Sequence, residues 1–138
     1  MELQDVYITW VNTLHSPHTI KRYKGNLRRF CYVVWGKEPY NLTFDDLKGV
    51  TVQEIKSLFH QPMRDRGHSK NTIQAYYVPV RGFVEKINQS KIFSEPINTE
   101  KFRVIDKIPT KGDLLKRLDE LENEIADIRA TLAAYEAS

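Results

Sequence analysis

A stretch of fifteen residues occurs twice in this chain, 53 positions apart and without a gap. Ser16-Pro-His-Thr-Ile-Lys-Arg-Tyr-Lys-Gly-Asn-Leu-Arg-Arg-Phe30 aligns with Ser69-Lys-Asn-Thr-Ile-Gln-Ala-Tyr-Tyr-Val-Pro-Val-Arg-Gly-Phe83, giving S-x-x-T-I-x-x-Y-x-x-x-[LV]-R-x-F in both. The leading serine suits an N-cap, because its hydroxyl can accept from a free N–H of the first helical turn. Pro17 follows at the first helical position, where a missing N–H costs nothing. Ile, Leu or Val, and Phe then recur on one face of a 3.6-residue period. Two helices of the same build therefore share one core, and any fold proposed for the chain has to place both. Pro79 falls inside the second copy, where it is expected to remove a backbone hydrogen bond and bend the helix.

The remaining periodicity is also helical. Leu3, Val6, Tyr7, Trp10, Val11 and Leu14 mark an amphipathic helix before the first copy. Gly36 suits the end of the first copy's helix, near Trp35. Pro39 to Leu42 reads as a loop, and Thr43 with Asp45 and Asp46 as the start of a short helix through Leu47. Thr51 to about Arg66 reads as a longer one that Pro62 ends or kinks. Residues 89–110, with Pro96, Pro109 and little periodicity, read as an extended linker despite a weak alternation from Phe102 to Ile108. The tail carries a heptad seam, with Leu118, Ile125 and Leu132 at a, and Leu114, Leu121, Ile128 and Tyr135 at d. In a parallel, in-register pair Arg117 would meet Glu122, and Glu124 would meet Arg129. Leu and Ile mix at both seam positions, which leaves homodimer and homotetramer open. The expectation is an all-α protein: a helical domain over 1–95, a linker over 96–110 and a coiled-coil oligomerisation helix over 111–138.

Charge divides along the same line. Residues 1–110 hold 17 Lys and Arg against 11 Asp and Glu, and residues 111–138 hold 4 against 7. A basic body points to a polyanion, most often nucleic acid. The single cysteine, Cys31, leaves no intramolecular disulfide or cysteine zinc site and suits a buried filler. No apolar run approaches a membrane span, and the first residues lack a signal-peptide layout, so an internal, cytoplasmic and nucleoid-associated location is expected. His15, His18, His60 and His68 have no metal-ligand spacing, and no phosphate-loop or nucleophile-elbow pattern occurs. No metal or small-molecule cofactor is expected. Tyr23, Tyr76, Tyr77 and Trp35 are read as core rather than as base stackers, and Arg29, Lys56 and Lys86 as solvated surface.

Both copies of the motif concentrate basic and polar groups in their first turns. A helix N-terminus with free N–H groups suits a phosphate. Lys21, Arg22, Lys24 and Arg28 extend a positive strip on the first copy. On the second, Lys70 and Arg81 supply charge, while Asn71 and Gln74 could reach base edges.

This arrangement resembles the core-binding domain of tyrosine recombinases, the SAM-like N-terminal domain of phage integrases. There, two helices beginning S-x-x-T-I flank a third announced by a motif like Leu42-Thr43-Phe44-Asp45-Asp46-Leu47. The resemblance covers about residues 3–95. It implies a bundle of four to five helices that sets its two motif helices on double-stranded DNA. Carried over residue by residue, it implies DNA contacts from His18, Thr19, Lys21, Arg22 and Arg28, and from Ser69, Lys70, Asn71, Thr72, Gln74 and Arg81. Recombinases of the family continue into a catalytic domain, where the heptads take over here. Tyr135 lies at a d position with no arginine cluster to make it a nucleophile, so no catalytic residue is expected. The reading is a non-catalytic regulator, repressor or architectural DNA-binding protein of a mobile element. Its rivals are a protein-interaction module that acts on a full-length recombinase, and a recombinase fragment without its catalytic domain.

Overall fold

Local capping chemistry sets most of the helix boundaries. In a computed structural model that describes residues 1–104 and 111–137, the chain is all-α, with no strand among the described residues. The first helices are α1 (Leu3–Asn12) and α2 (Pro17–Trp35). Gly36 closes α2 in the left-handed conformation (φ 67°), and its N–H donates to the Tyr32 carbonyl at 2.9 Å. A glycine takes that φ without the Cβ penalty other residues carry. A 3-10 turn (Pro39–Asn41) leads into α3 (Phe44–Gly49), which starts in a reciprocal box of Thr43 with Asp46. Thr51 and Glu54 make the same box for α4 (Val52–Ile55). Each box satisfies two N–H groups that a helix start otherwise leaves open.

The helix after Thr51 neither stops nor simply kinks at Pro62. A π-helical turn over Lys56–His60 joins α4 to α5 (Gln61–Asp65), and the Gln61 N–H reaches back five residues to the Lys56 carbonyl. The wider turn brings both Phe59 and His60 to the core side. His60 Nδ1 lies 2.8 Å from the Tyr77 hydroxyl, and the two rings are nearly parallel, at 6°. A buried imidazole and phenol thus satisfy one another.

The second motif copy forms α6 (Lys70–Ser90), which packs against α1, α2, α5 and the segment after it. Ile73, Tyr77, Val80, Phe83, Val84 and Ile87 are all buried along it. Phe30 of α2 lies at the centre, edge-to-face with Phe59 at 5.0 Å between centroids, Tyr77 at 5.9 Å and Phe102 at 6.2 Å. Such pairs add about 1 kcal/mol each beyond area burial.

Phe102 belongs to the stretch read from sequence as linker, and that reading fails for its first part. Ile97, Phe102 and Val104 are buried, and a 3-10 turn (Thr99–Phe102) lies against α6. The Asn88 side chain holds the start of this strap, donating to the Ile97 carbonyl at 2.9 Å and accepting its N–H at 2.8 Å. Lys101 Nζ donates to the carbonyls of Leu47 and Lys48, so a lysine caps the end of α3. The apolar residues here have no helical period because their partners are tertiary. The rest of the expected linker, 105–110, lies outside the described residues.

The chain divides into two units, Met1–Asp106 and Lys107–Ser138. Within the second, α7 (Lys111–Ala137) is one continuous helix. Its seam residues Leu114, Leu118, Leu121, Ile125, Ile128, Leu132 and Tyr135 are between 38% and 75% exposed in the single chain. No helix among the described residues is long and apolar enough to cross a membrane.

Candidate nucleic-acid interface

The repeated serine and threonine do the same local work in both copies. Ser16 Oγ accepts from the Thr19 N–H at 3.0 Å and donates to the Thr19 hydroxyl at 2.8 Å. Ser69 Oγ accepts from the Thr72 N–H at 3.2 Å, and the Ser69 and Thr72 hydroxyls are 2.9 Å apart. Two of the shared motif positions, the serine and the threonine, therefore serve capping, and two more serve the core through Leu27, Val80, Phe30 and Phe83. On the first copy, the positions where the two copies differ include His18, Lys21, Arg22 and Lys24.

On α2 those positions are cationic and open. His18, Lys21, Arg22 and Lys24 are exposed, and among the described residues none of the last three takes part in an ion pair. His18, Lys21, Arg22, Gly25 and Asn26 line an open depression of about 390 Å³ along one side of the helix. The α2 start carries no acidic residue in its first turn, unlike α1, α3 and α4. Its positive N-terminal end is thus left without the carboxylate that elsewhere in this chain complements it. Arg28, the next cation along α2, is engaged instead. Its Nη2 and Nε lie 3.0 and 3.1 Å from Glu38 Oε1, which also accepts from the Tyr32 hydroxyl at 2.9 Å. The hydrogen bond with Tyr32 and the Glu38 carboxylate both hold its guanidinium more firmly protonated than usual.

On α6 the open residues among those expected at the interface are the ones at its start. Ser69, Lys70, Asn71 and Thr72 are exposed, with Lys70 in no ion pair among the described residues. Gln74 and Arg81, both read as DNA-facing, are turned inward to other work. Gln74 Nε2 donates to the Val104 carbonyl at 2.6 Å, and Arg81 Nη1 to the Phe102 carbonyl at 3.0 Å. They pin the strap. Burial, and then Arg103 nearby, pull the Arg81 pKa down. Sequence could not separate these two from surface residues, since their acceptors are backbone carbonyls 30 and 21 positions further on.

One residue in this region carries a role that sequence reading missed. Pro79 sits inside α6 and the helix runs unbroken past it. Lacking an N–H, it leaves the Ala75 carbonyl without its i+4 donor. Asn26 Nδ2 of α2 supplies one at 3.3 Å. Asn26 and Pro79 are equivalent positions of the repeat, so one copy makes good the defect of the other. The signal was available in the alignment, but the pairing needs the packing of α2 on α6.

The same contact fixes the spacing of the two motif starts. His18 lies eight residues before Asn26, and Asn71 lies four before Ala75. At about 1.5 Å rise per residue these are ~12 and ~6 Å from the crossing, with the axes ~10 Å apart. The two starts are then within roughly 30 Å, less than the ~34 Å turn of a DNA duplex.

Tyr77 is fully buried, and Tyr23, Trp35 and Tyr76 pack partly buried against the core, as expected of core aromatics. Among the described residues no three His, Cys, Asp or Glu side chains come together as a metal-ligand group. Comparison of the chain with protein-family models, with curated proteins and with solved structures finds no match.

Proposed function

We propose that the chain is a non-catalytic, double-stranded DNA-binding protein whose α2 start lies on the phosphate backbone, and whose tail joins copies of it together. The observation that carries the reading is the strip of Lys21, Arg22 and Lys24 beside a serine-capped helix start. These cations are exposed and outside any ion pair of the described residues, whereas Arg28, Lys37 and Lys48 each face a carboxylate. Lys70 and Asn71 at the α6 start add a second point of contact within one duplex turn. Two or more basic bodies tethered on one duplex gain effective concentration, so weak single contacts become useful affinity. The resemblance to the recombinase core-binding domain supports the same partner and suggests a regulator, repressor or architectural factor of a mobile element.

The test is fluorescence anisotropy of labelled duplex DNA at about 50 and about 200 mM salt, with Lys21→Glu/Arg22→Glu beside wild type. Each phosphate contact makes affinity fall with roughly the 0.9 power of salt concentration, about 3.5-fold per contact over this range. Wild type is expected to lose affinity steeply and the double variant to lose nearly all of it. No binding at low salt, with the body folded, overturns the reading and moves the search to a protein partner.

A further inference from the structure

We infer that the tail pairs with a second copy of itself in parallel and in register, so that both bodies leave the same end of the coil. The inference rests on the self-association proposed above and adds the orientation and its consequence. Along α7 every seam residue is at least 38% exposed, and Leu115, next to the seam at an e position, is 54% exposed. That is a continuous apolar stripe on a helix of 27 residues, and such a stripe needs a cover.

The flanking charges choose the cover. In a parallel, in-register pair every seam residue faces its own copy. Arg117 at g then faces the partner's Glu122 at e, and Glu124 at g faces the partner's Arg129 at e. The intrahelical contact of Arg117 with Glu120, at 3.3 Å between exposed groups, is a weak competitor. An antiparallel pair sets g against g and e against e. In the register that covers Leu114 to Leu132, with Ile125 opposite the partner's Leu121, Glu124 faces the partner's Glu124 and Glu122 faces the partner's Glu122. Sliding by one heptad in one direction restores a Glu122–Arg129 contact and leaves Leu114 uncovered. Sliding the other way restores Arg117–Glu124 and leaves Leu132 and Tyr135 uncovered. Only the parallel arrangement buries the full seam and pairs the charges.

The consequence reaches the DNA. A parallel, in-register pair has its twofold axis along the coil. Both chains then enter the coil at its Lys111 end, whereas in an antiparallel pair they would enter at opposite ends of a helix about 40 Å long. Two chains entering at one end can bring their basic strips to neighbouring sites on a single duplex.

Single-cysteine variants Leu114→Cys and Leu132→Cys, each in a Cys31→Ser background, are oxidised in a glutathione buffer alone and as a mixture of different tag sizes. Parallel pairing predicts a disulfide-linked homodimer from each variant alone and none between the two in the mixture. Cross-linking only between Leu114→Cys and Leu132→Cys, which face one another in the antiparallel register, overturns the proposal in favour of that form. A wild-type monomer by sedimentation equilibrium overturns it outright, and neither result depends on DNA. Because a seam substitution can itself weaken the coil, a charge exchange gives the second readout. Arg117→Glu is expected to raise the dissociation constant at least several-fold, and Arg117→Glu/Glu122→Arg to restore it. A double variant as weak as the single one refutes the pairing.

Discussion

The contact between Asn26 and the Ala75 carbonyl turns a proline inside a helix into a measurable coupling between two sites. Asn26→Ala removes the donor and leaves a half-buried carbonyl open, at a cost of about 1 kcal/mol, or roughly a fivefold shift in the folding equilibrium. Pro79→Ala supplies a backbone N–H that can take the same carbonyl from within α6. Against that gain, the buried pyrrolidine ring gives up about two methylenes at ~0.8 kcal/mol each, so the single change is expected to be close to neutral. In the Pro79→Ala background, Asn26→Ala should cost only what its lost packing costs, and that part cancels in the double-mutant cycle. The expected coupling is about 1 kcal/mol. The assay is equilibrium urea unfolding followed by far-ultraviolet circular dichroism, at one protein concentration for all four proteins, with equal m-values as the condition for comparison. Additivity within about 0.3 kcal/mol would show that the asparagine does not serve the proline's orphaned carbonyl.

Three further expectations follow from the packing. Phe102→Ala should cost about 3–5 kcal/mol in the same assay, the range for a buried aromatic, whereas a true linker residue would cost almost nothing. Ser16→Ala and Ser69→Ala should each lose about 1 kcal/mol of stability, and Ser16→Asp should retain it, because aspartate caps as well as serine does. Burial pushes the Cys31 thiol up. A raised folded pKa means its contribution is intact below the unfolded thiol's pKa and is lost as pH rises above it. Stability of wild type should therefore fall faster than that of Cys31→Ala above about pH 8.5, by up to about 1.4 kcal/mol per pH unit. Parallel curves for the two proteins would contradict that.

What was legible in the sequence was local. Ser16, Thr43, Thr51 and Ser69 cap helices because each is followed, three residues on, by the group its hydroxyl or N–H needs. Gly36 stops α2 for a reason contained in one residue. The features that escaped depend on partners far along the chain. The strap over 97–104 has no period because Phe102 answers to Phe30 and Trp35, not to its neighbours. The π-helical turn before Pro62 brings His60 inward to Tyr77, seventeen positions away. Of the candidate site, what sequence could state was exposure and charge. Lys21, Arg22, Lys24 and the α6 start are exposed, as residues awaiting a partner must be, but Arg28 faces Glu38, and Gln74 and Arg81 hold the strap. A side chain's helical position states the direction it leaves the axis, not which later segment will come to meet it.

The strap also sets the order in which the body can be completed during synthesis. Phe30 emerges early, yet its surroundings include Phe102, and Lys101 caps an α3 that was made more than fifty residues before it. Until that last segment has left the ribosome, α2 and α6 present an aromatic surface with one wall missing, the kind of surface that nascent chains lose to aggregation or chaperones. A chain stopped at residue 95, where the helical pattern ends, would carry every α-helix of the body and still lack the piece that closes its core.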